Sequence, residues 1–135
     1  LRTNAVLNSE SLLGRRELEA INLAVSELSG CDYCLAAHTL AGKAAGYTND
    51  QLHALRVGNF ADDAKIAALV HFARLLVQST GTLPVQALEA VRHAGYSDRQ
   101  IVEAIGASSA ILFTNLLNRV NDTTLDFARA EPAIV

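Results

Sequence analysis

The stretch Ala45-Gly46-Tyr47-Thr48-Asn49-Asp50-Gln51-Leu52 returns forty-nine positions on as Ala94-Gly95-Tyr96-Ser97-Asp98-Arg99-Gln100-Ile101. Each copy has the form of a helix stop followed by a helix start. Glycine tolerates the positive φ that ends one helix, and a hydroxyl residue with Gln three positions later makes a capping box for the next. A chain that spells this junction twice is committed to helices on both sides of each copy, so two related helical units are expected.

The apolar spacing agrees. Leu18, Ile21, Val25 and Leu28 recur at helical intervals ahead of Ser29-Gly30, which predicts a helix over Arg15 to Leu28. From about Asp32 to Ala45, the residues Cys34, Ala37, His38, Ala41 and Ala45 share a face, with Gly42 and Gly46 beside it to let another helix come close. A short helix carries Leu52 and Leu55. Asp62 or Asp63 caps the next, whose stripe is Ile66, Leu69, Val70, Ala73, Leu76 and Val77. Pro84 suits a first turn, and Val85, Leu88 and Val91 give the following segment a buried face. Ile101 to Val120 is apolar on several sides, as expected of a central helix and of a subunit interface. No alternating stretch or hairpin signal reads as a strand, so the expected fold is all-α, a bundle of about six helices.

At 135 residues the chain suits a single domain over 1–135. A net charge of −3 without a Lys/Arg cluster offers phosphates nothing to bind, which argues against nucleic acid. No uninterrupted apolar run approaches a membrane span, His71 and Arg74 breaking the longest, so no membrane partner is expected. Leu1-Arg2-Thr3-Asn4 has neither an initiator Met nor the pattern of a signal peptide and reads as a trimmed start. The expected location is cytoplasmic.

Chemistry concentrates at Cys31-Asp32-Tyr33-Cys34, followed by His38 and preceded by Glu19. Two cysteines three apart close too small a loop to staple a fold, so the pair reads as redox-active. Cys31 falls at a helix start, where unpaired N–H groups and the helix dipole favour a thiolate. Cys34 and His38 are four apart, one helical turn, which makes His38 the natural base, with Glu19 holding its tautomer. The helix-terminus argument favours Cys31 as nucleophile and the histidine argument favours Cys34; physics alone leaves the order open. Either thiolate, on attacking a hydroperoxide, becomes a sulfenic acid that the other condenses with to a disulfide.

Glu19, Cys31-Asp-Tyr-Cys34 and His38, within Ser26-Glu27-Leu28-Ser29-Gly30-Cys31-Asp32-Tyr33-Cys34-Leu35-Ala36-Ala37-His38, resemble the carboxymuconolactone decarboxylase superfamily, alkylhydroperoxidase D-like branch. The resemblance implies an AhpD-like helical bundle that assembles as a trimer or hexamer and reduces peroxides without a bound cofactor or metal. It implies Cys34 as the peroxidatic thiol, Cys31 as the resolving thiol, His38 as relay base and Glu19 as its partner. A peroxide substrate and an external dithiol, thioredoxin-like or lipoyl-type reductant are implied as well. The best-known branch has His immediately before its second cysteine; here Tyr33 stands there and is no base near neutral pH.

Blander readings compete. Two cysteines can be small buried hydrophobes, and Cys31, Cys34 and His38 form three zinc ligands, one short of a structural site. Glu17 and Glu27 rival Glu19 but read as surface residues. His53, His71 and His93 lack such partners, Tyr47 and Tyr96 read as packing, and Asn115, Asn118 and Asn121 are given no catalytic role. The expected function is a thiol-dependent peroxidase. The alternatives are a general disulfide oxidoreductase without peroxidase activity, or a non-enzymatic redox-sensing or metal-binding helical module.

Overall fold

The structure, a computed structural model, describes residues 2–133. These hold seven helices and no strand: α1 (Arg2–Glu10), α2 (Arg15–Ser29), α3 (Asp32–Ala44), α4 (Asn49–Val57), α5 (Ala64–Gln78), α6 (Val85–His93) and α7 (Asp98–Asn121). The fold class is as expected, with one helix more than the expected six. The addition is α1, which buries none of its residues fully and therefore carries no apolar stripe to announce it.

Both repeat junctions fold as their residues dictate. Gly46 and Gly95 take φ of 92° and 105°, and Thr48 and Ser97 each accept the N–H of the Gln three positions on, whose side chain bonds back. Asp63 caps α5. Pro84 sits one position before the expected first turn, as the N-cap of α6, where its fixed φ fits equally well.

The hub is α2, not the C-terminal helix. It packs against α3, α4, α5 and α7, and its apolar residues point two ways. Leu18, Ile21 and Val25 enter a core with Leu69, Phe72, Val91, Tyr96, Ile101 and Ile111. Ala20, Leu23 and Ala24 enter a second with Tyr47, Leu52, Leu55, Phe60, Ile66 and Val70. Each core thus holds one of the two junction tyrosines, and each ring is covered by a cation: Arg16 lies 3.9 Å above Tyr47 and Lys65 4.6 Å above Tyr96. Burial pushes the Tyr47 phenol up to about 12 and raises that of Tyr96 as well, so both are neutral packing groups near pH 7.

Helix α7 packs against α1, α2, α3 and α5, as expected of a central helix, but over one side only. One face, with Ile101, Ala104, Ala107, Ile111 and Asn115, is buried, while Val102, Ile105, Phe113, Leu116, Leu117 and Val120 are exposed. An apolar helix surface wider than its packed stripe looks central in sequence whether or not a neighbour covers it. By length and composition α7 is apolar enough to cross a membrane, a test that the core helix of a folded domain passes as well. Its packed face carries Ser108 and Asn115, both buried against the rest of the fold.

Helix α3 reaches α4 through a missing side chain. A Cβ on Gly42 would come within 2.5 Å of Leu52 Cδ2 and 3.4 Å of Leu23 Cδ1. Gly42→Ala should therefore destabilise by about 1 kcal/mol, overpacking outweighing the gain in helix propensity. Gly106→Ala on α7, where a Cβ meets nothing within 4 Å, should instead stabilise by about 0.5 kcal/mol. Urea midpoints of the two variants that shifted the same way would refute the close approach.

Candidate functional site

The site begins at the α2–α3 corner. Gly30 ends α2 in the left-handed region, φ 68°, donating its N–H to Glu27 O, while the N–H of Cys31 reaches Ser26 O. That double closure is a Schellman motif, and Cys31 is at once its last residue and the N-cap of α3. The first sulfur is thereby fixed by backbone geometry. Cys31 Sγ accepts the N–H of Cys34 at 3.2 Å, the bond a Ser or Asp cap would accept.

Cys31 and Cys34 are joined as a disulfide across the first turn of α3, with Cα atoms 5.3 Å apart. The sulfurs reach each other as expected, and in this state neither is free to hold a metal ion. Both residues are buried.

The second expected pair is also formed. His38, one turn beyond Cys34 on α3, places Nδ1 2.7 Å from Glu19 Oε2 on α2, and both side chains are largely enclosed. The carboxylate fixes the proton on Nδ1 and leaves Nε2 as the acceptor. Among the described residues no hydrogen bond joins the imidazole to either sulfur. An oxidised pair carries no thiol proton, so a relay has nothing to move in this state. Glu17 instead accepts the N–H of Gly14 at the start of α2, and Glu27 pairs with Arg56, so neither rival of Glu19 faces the imidazole.

Two cavities border the Glu19, Cys31 and His38 set. One of about 120 Å³ is bordered by Glu19 and His38, with Leu7 from α1 and Ile111 and Thr114 from α7. The other, about 250 Å³, is bordered by Cys31, Tyr33, Asn118 and Thr123. Cys34 borders neither and lies between them on α3. The segment after α7 crosses the start of α3: Phe127 packs on Tyr33 with ring centroids 5.6 Å apart, Arg129 pairs with Asp32, and Arg56 Nη1 donates to Glu131 O at 2.7 Å. Both residues between the cysteines are therefore held by this segment, which places Tyr33 in packing.

Asn118, for which the sequence suggests only a bond to backbone or to a neighbouring subunit, donates Nδ2 to Cys34 Sγ at 3.5 Å as well as to a backbone carbonyl. Only tertiary approach brings it there. His71 and His93 are exposed, and His53 lies on a groove away from the sulfurs, as expected of residues without partners.

The sequence model of the carboxymuconolactone decarboxylase family matches residues 1–78, a span that holds Glu19, both cysteines and His38. No curated protein gives a significant match. Among solved structures, an uncharacterized peroxidase-related protein from Silicibacter sp. TM1040 superposes with a TM-score of 0.84 at 24% identity, over 91% of this chain and 66% of its own. A protein of unknown function from Agrobacterium tumefaciens, described as a candidate AhpD antioxidant defence protein, gives 0.83 at 21%, over 92% of this chain and 86% of its own. The debrominase Bmp8 gives 0.79 at 16%, over 93% and 68%. The chain spans about two thirds of the first and third of these. At such identities the likeness establishes a shared fold.

Proposed function

The chain belongs to the carboxymuconolactone decarboxylase family and has the AhpD-like helical fold, and from that premise we propose that it is a thiol-dependent peroxidase. It reduces organic hydroperoxides or hydrogen peroxide by cycling Cys31 and Cys34 between dithiol and disulfide. A fold shared with a debrominase does not choose a chemistry; the residues must. The observation that carries this reading is a bonded cysteine pair on the first turn of the same helix whose next turn presents His38, itself bonded to Glu19. Lactone decarboxylation has no use for a second thiol.

In this cycle His38 Nε2 takes the proton of the Cys34 thiol, the thiolate attacks the terminal oxygen of the peroxide, the O–O bond breaks, and the alkoxide leaves as alcohol with that proton from His38. Cys31 then attacks the Cys34 sulfenic acid, expelling water and forming the disulfide. An external dithiol restores the pair by exchange, giving one alcohol, one water and one oxidised dithiol per peroxide. The cavity bordered by Cys31 suits the incoming reductant. Homo-oligomers are proposed on the exposed apolar face of α7.

The test is peroxide consumption by the reduced protein with excess dithiol. Turnover with hydrogen peroxide or a small organic hydroperoxide is expected. Glu19→Gln should lower it about tenfold by releasing the imidazole while keeping the shape of the partner. Ready disulfide exchange with no peroxide consumed would hand the site to a general disulfide oxidoreductase.

A further inference from the structure

The two sulfurs each accept one N–H bond, from sources of different kind. Cys31 receives the backbone N–H of Cys34, which belongs to any helix start. Cys34 receives a side chain from a residue 84 positions away. That side chain, the Asn118 carboxamide, is specified at every atom. Its Nδ2 gives a second N–H to Thr114 O at 3.1 Å, and its Oδ1 accepts the Thr123 hydroxyl at 2.8 Å. Turning the amide over would set Oδ1 against the Thr114 carbonyl oxygen, so the network assigns nitrogen to the sulfur side.

Thr123 is delivered by the end of α7. Asp122 adopts φ 47°, and the Thr123 N–H returns to Asn118 O at 3.1 Å, folding the hydroxyl back over the carboxamide. Thr123 Oγ1 in turn accepts Asn121 Nδ2 at 3.2 Å. Asn121, Thr123 and Asn118 thus form a chain of donors that runs to Cys34 Sγ, each bond polarising the next.

We propose that Asn118 is a catalytic hydrogen-bond donor to the Cys34 sulfur, held in place by Thr123, and that it makes Cys34 the thiolate of the pair. The inference rests on the reading of Cys31 and Cys34 as a redox couple. When an external thiolate attacks Cys31 Sγ, the sulfur bordering the open cavity, the S–S bond breaks and its electron pair goes to Cys34 Sγ. The Asn118 N–H then meets a full negative charge, and a bond to an ionised acceptor is about twice as strong as one to a neutral acceptor. The better-stabilised sulfur leaves faster and is ionised more fully for the next peroxide. The donor chain tips the balance that helix terminus and histidine leave undecided.

The experiment measures iodoacetamide alkylation against pH for Cys34 in a Cys31→Ser background and for Cys31 in a Cys34→Ser background. Each is made with and without Asn118→Leu or Thr123→Val. Asn118→Leu should move the Cys34 midpoint up by about one pH unit and cut its rate at pH 7 about tenfold. The Cys31 profile should stay in place. Thr123→Val, a near-isosteric change at the edge of the network, should shift Cys34 the same way by less. An unmoved Cys34 profile in the folded variants, or an equal shift of both cysteines, overturns the proposal. The readout involves no peroxide, so a parent inert to peroxide with a shifted Cys34 profile defeats the peroxidase reading alone. Peroxide turnover with an unmoved profile defeats only the donor.

Discussion

Cys34→Ser should abolish dithiol-driven peroxide consumption, a loss of at least about a hundredfold, because a serine hydroxyl near neutral pH supplies neither the thiolate nor the sulfenic acid that the cycle requires. The two cysteines should fail differently. Reduced and then freed of dithiol, Cys31→Ser keeps the attacking sulfur and loses its partner, so one equivalent of peroxide should be consumed in a burst and the reaction should stop there. The stalled protein should carry a Cys34 sulfenic acid that a dimedone-type trap labels and mass spectrometry locates. If Cys31→Ser is the variant that loses the burst while Cys34→Ser retains it, the roles are reversed. A parental rate that survives both substitutions removes the thiol pair from the reaction altogether.

The reason to expect this order lies in what surrounds each sulfur. Cys31 is held by the Schellman turn and the cap of α3 and borders a cavity, whereas Cys34 faces inward, between the Asn118 amide and the turn carrying His38. The parts of this arrangement that depend on local spacing were legible from the chain. The turn at Gly30, the cap at Cys31, the i,i+4 relation of Cys34 to His38 and the two junction tyrosines all follow from residues within a few positions of one another. The Glu19–His38 contact was legible because the Glu19 side of α2 follows from its stripe and the turn that joins α2 to α3 is short. Asn118 was not, because a residue at the far end of a 24-residue helix meets the sulfur only through the packing of α7 on α2 and α3. The segment after α7 was illegible for the same reason. Phe127, Arg129 and Glu131 show no periodicity, and their partners Tyr33, Asp32 and Arg56 lie far up the chain. The hub was not legible for a different reason: α2 alternates small and large residues toward two cores, which looks less apolar than α7 although nearly all of it is enclosed.

The division of α2 between two cores makes the last prediction a test of the architecture. Ile21 and Leu23 are both fully buried, the first in the core of Tyr96 and the second in that of Tyr47. Ile21→Ala and Leu23→Ala should each destabilise by about 3 kcal/mol, from lost transfer free energy and the cavity left behind. Residues two apart on a helix do not face each other, and these two border different clusters, so the double variant should lose about 6 kcal/mol with little coupling. A loss of that size consumes most of the stability of an ordinary domain, roughly 5–15 kcal/mol, and the double variant should be close to unfolded at 25 °C. The chain has no Trp and three tyrosines, so in a Tyr33→Phe background tyrosine fluorescence can follow each core separately, with Tyr96→Phe leaving Tyr47 as reporter and Tyr47→Phe leaving Tyr96. If one helix serves both cores, Ile21→Ala must lower the urea midpoint seen from Tyr47 as much as that seen from Tyr96. Two separated transitions, each moved only by the substitution in its own core, would mean that the repeated junctions mark independently folding units and that α2 does not couple them. The site spans the same division: Glu19 sits on α2 between the two faces, and the imidazole it holds belongs to α3, so a chain whose halves unfolded separately would lose the His38 contact well before it lost the disulfide turn.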